Sequence, residues 1–347
     1  MLLEGLQIPV TTPFYPDGRL NLPKLDANVA RTSKSSAAGL ILLGPTGEPT
    51  LLSDEETREV LRVAAQAAAT EKVLIAGISR DSVRATLDLA DFAAEQAYDT
   101  VLVSAPSIFT SEDEAHGREV LTYFQTVADR SPLPVVLLST ISSALSSDMV
   151  VELAAHPNII GLITHRSPAA IAEFLSRTTV VEREVPVTMV FAAVTERMRR
   201  AAAQCATRSL VSAASLAGTA IVEAPPAVRP LRTRSKTVGF QILSSSTQSI
   251  LKALRAGAVG AAPSLAAAAP QACYEVYAAW KDDDQPLAEE KQARLREAAV
   301  LAESSVGSLK FACELNGYFG GLPRLPLLPP TGDQRAALKP LLQQLHN

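Results

Sequence analysis

Short apolar segments alternate with longer helical patterns along most of this 347-residue chain. Each apolar segment is rich in aliphatic and β-branched residues and is followed by about ten to twenty residues with helical periodicity, which is typical of repeated βα units around a parallel sheet. The pattern predicts eight such units. The predicted strands are residues 5–14, 39–47, 72–79, 100–108, 134–141, 159–166, 238–245 and 258–265.

The eight units predict an α/β fold in which the strands close into a (β/α)8 barrel. An open, doubly wound sheet is the competing architecture, but no GxGxxG motif follows the first predicted strand. Ser53 and Ser111, each followed three residues later by a glutamate, have the form of helix capping boxes. We assign residues 1–285 to the barrel and residues 286–347 to a C-terminal helical extension.

Residues 178–237 interrupt this rhythm between the sixth and seventh units. A βα barrel ordinarily needs a connection of about two to six residues there, whereas this segment has about sixty. Its composition predicts one helix followed by a basic, proline-containing linker. We interpret it as a surface excursion or flexible loop; the alternatives are a lid or partner-binding element, and translated non-coding sequence.

Composition and charge narrow the class of protein. With 47% hydrophobic and 20% charged residues, a predominantly disordered chain is excluded. Lys and Arg number 32 against 36 Asp and Glu, so the formal charge of −4 does not indicate a nucleic-acid partner. No basic region precedes an apolar core at the N-terminus, and no apolar run is long enough for a membrane span. We therefore expect a cytoplasmic protein, not associated with membranes, that acts on a small molecule.

Several longer motifs resemble a known family of barrel lyases. They are PVTTPFYPDG from Pro9, GLILLGPTGEPTLLSDEE from Gly39, VLIAGIS from Val73, PLPVVLL from Pro132, HPNIIGL from His156, LRAGAVGAAPSLA from Leu254 and GSLKFACELNGYFGGLPRLPLLPP from Gly307. The chain resembles the dihydrodipicolinate synthase and N-acetylneuraminate lyase family, including its 4-hydroxy-2-oxoglutarate aldolase branch. The resemblance spans nearly the whole chain outside residues 178–237 and implies the barrel fold.

The resemblance also implies a lysine nucleophile at the end of the sixth strand. In the family its amine condenses with a 2-oxo acid, usually pyruvate, to give an iminium that serves as an electron sink. In this chain Ile163 stands at that position, so a divergent member without the Schiff-base lysine is predicted. The resemblance implies two site tyrosines that are also missing here. Leu138 stands where the family's fifth strand ends in a YN[VF]P pattern, and the stretch after the fourth strand, which includes Ile108, contains no tyrosine.

A loop after the second strand matches the family's carboxylate-binding G[ST]TGE motif as Gly44, Pro45, Thr46, Gly47 and Glu48. Thr46 is retained. Pro45 removes one backbone N–H and one hydroxyl that would otherwise hold an anionic head group. We therefore expect weakened affinity for pyruvate.

His165 is the candidate acid–base group. It lies two residues beyond Ile163, so its side chain shares that residue's direction if the strand stays regular. An imidazole there can donate or accept a proton near neutral pH, although a solvated loop histidine is the alternative. Among the lysines, only Lys236 has a position that the predicted elements leave open.

The predicted site combines catalytic and substrate-binding residues, with no metal and no cofactor. The three cysteines lack CxxC spacing, and no HExxH or DxD pattern occurs. The predicted catalytic residues are Thr46 and His165, and the predicted substrate-binding residues are Gly44, Pro45, Thr46, Gly47, Ile108, Leu138, Ile163 and Ser245.

Three functions are compatible with these residues. The first is a lyase or aldolase-like enzyme with altered, non-Schiff-base chemistry on a small organic substrate. The second is an enzyme of changed class, a cyclase or dehydratase in specialised metabolism. The third is a catalytically inactive pseudoenzyme with a binding or assembly role. The resemblance further implies a homo-oligomer, a dimer or a tetramer.

Overall fold

Eight parallel strands close into a barrel in the computed structural model, which describes residues 1–109, 116–208 and 231–345. The order around the barrel is β1, β10, β9, β6, β5, β4, β3, β2, and β2 pairs with β1 to close it. The predicted (β/α)8 fold is confirmed. The barrel strands are β1 (Gly5–Pro9), β2 (Gly39–Leu42), β3 (Val73–Gly77), β4 (Thr100–Ser104), β5 (Val135–Ser139), β6 (Ile159–Thr164), β9 (Gln241–Ser244) and β10 (Gly260–Ala261). The other two strands, β7 (Arg183–Thr188) and β8 (Thr233–Val238), form a separate antiparallel pair.

Helices surround the barrel and extend beyond it at the C-terminal end of the chain. The described helices are α1 (Leu22–Ser33), α2 (Asp54–Ala67), α3 (Val83–Glu95), α4 (Gly117–Arg130), α5 (Ser147–Ala154), α6 (Pro168–Arg177), α7 (Glu196–Arg208), α8 (Ile250–Arg255), α9 (Pro270–Lys281), α10 (Gln285–Ala302), α11 (Val306–Leu315) and α12 (Gly332–Gln343). The last three, α10 to α12, lie in the segment that we assigned to a helical extension, apart from Gln285 at the start of α10.

The capping box predicted at the start of α2 is confirmed. Ser53 Oγ accepts from the backbone N–H of Glu56 at 3.2 Å, and the Ser53 N–H donates to Glu56 Oε2 at 3.0 Å. Each side chain thereby satisfies an amide that has no partner inside the helix. The box predicted at Ser111 lies outside the described residues.

Strand residues alternate between two separate parts of the core. Leu40 and Leu42 face the helices, whereas Ile41 between them points into the barrel, as the two-residue period of a strand requires. Strand register places Leu138 beside Ile163 inside the barrel. The inward-pointing residues nearest the carboxyl ends of the strands therefore form an apolar floor for the barrel mouth.

The insertion departs from the prediction of one helix and a linker. It contains the helix α7, but β7 and β8 also pair as antiparallel strands, with Val185 opposite Lys236. Residues 233–237, at the end of the predicted linker, therefore belong to β8. The seventh barrel strand begins at Gln241 rather than at residue 238. The physical reason is alternation: Val185 and Val187 are buried against Leu2, while Pro186 between them is exposed.

The described part of the insertion is anchored at the amino-terminal end of the barrel. The buried Arg197 donates to the Ala68 carbonyl at 2.9 Å, and Thr195 Oγ1 donates to the Thr70 carbonyl at 2.5 Å. The Asp99 carboxylate accepts from the N–H of Glu196 at 2.6 Å, which places a negative charge at the first turn of α7. These contacts attach the first turn of α7 to the segments that precede β3 and β4.

Candidate functional site

A cavity of about 310 Å³ opens at the carboxyl ends of the barrel strands. Most of its wall consists of apolar side chains and hydroxyl groups. Among the described residues that line it there is one carboxylate, one imidazole and neither lysine nor arginine. The lining residues are Pro9, Ile41, Pro45, Thr46, Leu102, Leu138, Thr140, Ile141, Ser142, Ile163, His165, Ser245, Ala262, Ser264 and Glu303.

Ile163 lies in the floor of this cavity. It is the next-to-last residue of β6 and is only 2% exposed, packed with Leu138 and Leu102 inside the barrel. Strand register sets Leu138 opposite Ile163, and Leu102 belongs to the same buried cluster, so the three side chains form a continuous apolar surface. A branched hydrocarbon therefore occupies the position at which the family resemblance implied an amine.

The loop after β2 brings Thr46 and Pro45 to the cavity. Residues Pro45–Gly47 form one 3-10 turn, and Thr46 Oγ1 is 3.4 Å from the Pro9 carbonyl. Gly47 does not line the cavity, because its carbonyl accepts from Thr12 Oγ1 at 2.8 Å and its N–H bonds to the Gly44 carbonyl. The loop presents one hydroxyl and a proline ring to a ligand.

Glu48, which follows this turn, forms a buried ion pair with Lys310 of α11. Neither side chain is exposed, and Glu48 Oε2 also accepts from the N–H of Arg324 at 2.8 Å. Lys310 Nζ donates to the Leu322 carbonyl at 3.1 Å and lies 4.4 Å from the centre of the Phe14 ring. Burial lowers the pKa of Lys310, while Glu48 acts in the opposite direction. Lys310 is absent from the cavity wall, so it supplies no amine there.

Lys236, whose position the sequence left open, lies at the other end of the barrel. Its Nζ is 2.6 Å from Oε2 of Glu4, the residue immediately before β1. Active groups of this fold come from the carboxyl ends of the strands. Lys236 is therefore a structural partner of the amino-terminal face.

The other predicted residues divide between the cavity and its surroundings. His165 and Ser245 line it, His165 as an exposed side chain directly after β6. Gly44 lines an adjoining cleft of about 460 Å³ that shares Pro45 and Leu138 with the cavity. Ile108 is 66% exposed and lines neither space. The cavity thus brings together Pro45, Thr46, Leu138, Ile163, His165 and Ser245.

Glu303 is a cavity residue that the sequence analysis missed. It directly follows α10, and its Oε1 accepts from Thr247 Oγ1 at 2.5 Å and from the Leu265 N–H at 2.7 Å. Burial raises the pKa of this carboxyl, although both hydrogen bonds lower it. No local motif marks Glu303, because its partners follow β9 and β10, far away along the chain.

The described residues contain neither a candidate membrane helix nor a candidate metal cluster. No helix in this part of the chain is both long and apolar enough to cross a membrane. Within the same residues, no group of three or more histidine, cysteine or acidic side chains is arranged to hold a metal ion.

A closed (β/α)8 barrel whose cavity lies at the carboxyl ends of its strands defines a class in which that face carries the active site. The sequence model of the dihydrodipicolinate synthetase family matches residues 2–223 and 227–345. The chain therefore belongs to the dihydrodipicolinate synthetase family, which confirms the resemblance seen in its motifs.

Individual relatives match either nearly the whole chain or about half of it. A 4-hydroxy-tetrahydrodipicolinate synthase from Acidiphilium cryptum is 26% identical over 344 residues, which is 97% of both proteins. The probable mitochondrial 4-hydroxy-2-oxoglutarate aldolase of Emericella nidulans is 32% identical over 169 residues, covering 46% of this chain and 54% of that protein. Among solved structures, YagE of E. coli K12, in complex with pyruvate, superposes with a TM-score of 0.76 at 23% identity, over 99% of both chains. The structural likeness supports the fold.

Proposed function

We propose that this protein is a lyase or aldolase-like enzyme that acts on a small organic substrate without forming an iminium to a lysine. One observation carries the proposal: Ile163 is buried in the cavity floor, and none of the described residues lining that cavity is a lysine. Lys236, the lysine left open by the sequence, is held by Glu4, and the buried Lys310 is held by Glu48. Family membership supports the lyase class.

Catalysis then depends on proton transfer and on the substrate's own acidity. His165 is the candidate general acid or base, and Thr46 contributes a hydroxyl within the same cavity. The apolar floor excludes water from one side of a bound ligand, which strengthens polar interactions on the other. Without an iminium as electron sink, the substrate must carry an activating group of its own.

A changed-class enzyme, a cyclase or dehydratase, is the second candidate. The observation that favours it is the apolar surface of Ile163, Leu138 and Leu102, which suits a larger and less charged ligand than a 2-oxo acid. A shaped pocket of this kind can promote reaction by orientation alone. A pseudoenzyme would keep the pocket and show binding without turnover.

The decisive experiment is reductive trapping. The purified protein is incubated with pyruvate and borohydride, and its intact mass is measured. We expect no adduct, whereas the Ile163→Lys variant gains one pyruvyl group as a reduced secondary amine, because burial favours the neutral, nucleophilic amine. An adduct on the wild-type protein would overturn the proposal, and its loss or persistence in a Lys310→Met variant would show whether Lys310 or another lysine carries it.

Turnover separates the remaining possibilities. Small organic substrates are screened for ligand-dependent rises in melting temperature, and those that bind are assayed for conversion. If His165 transfers a proton, His165→Gln lowers kcat by about 10²-fold or more while leaving the melting temperature unchanged. Unchanged turnover in this variant would make His165 a surface residue of the loop.

A further inference from the structure

The cavity has an uneven distribution of charge. Its one described carboxylate, Glu303, lies on the β9 and β10 side, where Ser245 and Ser264 also line the wall. No described lysine or arginine faces it there, and His165 is the only other ionisable group in the lining. Because Glu303 is the one carboxylate in the described lining and faces no cationic side chain of lysine or arginine, its ionised form gives the cavity a negative potential.

The carboxylate is held in place with one oxygen left over. Both hydrogen bonds to Glu303, from Thr247 and from Leu265, end on Oε1. Oε2 has no partner among the described residues. Because the carboxylate is bound through one oxygen by two fixed donors, its orientation is set before any ligand arrives. Oε2 is thus a pre-positioned acceptor in a partly dehydrated site.

The rest of the cavity is complementary to an apolar group of a ligand. Ile163, Leu138 and Leu102 form the floor, and Ile41 and Ala262 continue it. The volume of about 310 Å³ is near the lower end of the range for small-molecule sites. An anionic head group would meet Glu303 without a compensating cation, whereas an ammonium group would complement it.

We propose that the cavity binds a primary amine, with the ammonium group paired with Glu303 Oε2 and an apolar body on the floor formed by Ile163 and Leu138. This assignment names the ligand class for the proposed function and rests on the same cavity. It distinguishes the site from one built for a 2-oxo acid, in which fixed donors would face a carboxylate. The pairing is a charge-assisted hydrogen bond in a partly apolar setting, where such bonds are stronger than in water.

The test uses three probes of similar shape and different charge: 2-phenylethylamine, 2-phenylethanol and phenylacetate. Their dissociation constants are measured by ligand-detected NMR at mildly alkaline pH with the full chain. We expect the amine to bind on the order of ten-fold more tightly than the acid, with the alcohol between them. In Glu303→Gln the preference for the amine falls by about ten-fold.

Two controls keep the result interpretable. Glutamine retains an oxygen that can accept from Thr247 and Leu265, and an unchanged melting temperature shows that the variant is folded. Glu297→Gln makes the same charge change at an exposed position on α10 and leaves the preference within about two-fold. Absence of binding by all three probes, or an amine preference that survives Glu303→Gln, would overturn the proposal.

This outcome is separable from that of the proposed function. A pyruvyl adduct on the wild-type protein would refute non-Schiff-base chemistry whatever the charge preference. Equal affinity for the three probes without any adduct would refute amine recognition alone.

Discussion

Glu48 and Glu303 both lie near the carboxyl end of the barrel, in contrasting surroundings. Glu48 is buried against the ammonium group of Lys310, behind the loop that carries Thr46. Glu303 faces the cavity and meets only a hydroxyl and an amide among the described residues. A carboxylate with a buried counter-ion is part of the scaffold, whereas one without a cation is available to a ligand.

The buried amine of Lys310 is surrounded by groups that compensate its charge. Glu48, the Leu322 carbonyl and the Phe14 ring enclose Lys310. Its side chain is fully buried, so a ligand cannot reach the amine. In the cavity, Ile163 contributes a buried hydrocarbon side chain to the floor. The scaffold therefore contains a buried ion pair, whereas the floor of the cavity is hydrocarbon.

The largest expected effect comes from breaking the buried pair. Lys310→Met leaves the Glu48 carboxylate buried without its cation and should lower the free energy of unfolding by about 3–5 kcal/mol. Urea denaturation measures this loss. The double variant Lys310→Met, Glu48→Gln should recover part of it, because no uncompensated charge remains. A single-variant loss below about 1 kcal/mol would indicate an effectively solvated pair.

Removing one donor from Glu303 should have a smaller effect. Thr247→Val deletes the hydroxyl bonded to Oε1 while keeping the side-chain volume. A hydrogen bond to a charged group contributes about 1.5–3 kcal/mol, so the variant should lose stability in that range at mildly alkaline pH. The loss should shrink under acidic conditions, where Glu303 is protonated in both proteins. Equal losses at both pH values would contradict an ionised acceptor.

The pH dependence of stability should reveal the uncompensated carboxyl directly. The folded pKa of Glu303 is raised by burial, so the native protein holds a proton that the unfolded chain has already released. Stability attributable to Glu303 is therefore complete below the ordinary glutamate pKa and is lost as pH rises through the folded value. Glu303→Gln removes this component, so relative to wild type the variant gains stability as pH rises. Parallel pH profiles of the two proteins would contradict the raised pKa.

The smallest expected effect is at Thr46. Its hydroxyl is 3.4 Å from the Pro9 carbonyl, a long bond between neutral groups. Thr46→Val should cost about 0.5 kcal/mol, measured by the same denaturation experiment. This value gives a neutral reference for the charge-assisted bond at Thr247. A loss as large as that of Thr247→Val would remove the contrast between the two kinds of bond.

Local periodicity predicted the barrel, whereas the residues predicted for the cavity came from the family resemblance of the motifs at the strand ends. Ile163 and Leu138 occupy inward positions of buried strands, and a two-residue period fixes that direction. Glu303 could not be predicted in this way, since its environment is created by Thr247 and Leu265 after two different strands. Only packing of α10 against the barrel brings these groups together.

The antiparallel pair of β7 and β8 in the insertion was missed for a related reason. Val185 and Val187 alternate with exposed residues, which is a local strand signal, but the partner strand β8 is separated from β7 by α7 and by the undescribed residues 209–230. Antiparallel pairing over such a distance leaves no turn motif in the sequence. The alternation in 183–188 was nevertheless a signal that sequence analysis could have used.

Attachment of β7 and α7 to the amino-terminal face has a consequence for how this chain can change. Arg197, Thr195 and Asp99 join the insertion to the barrel at the end remote from Ile163 and Glu303. Evolution or protein engineering could therefore remodel the underside of the molecule while the ligand chamber keeps its shape. Changes to the insertion at one end of the barrel and changes to the cavity at the other can therefore be made independently.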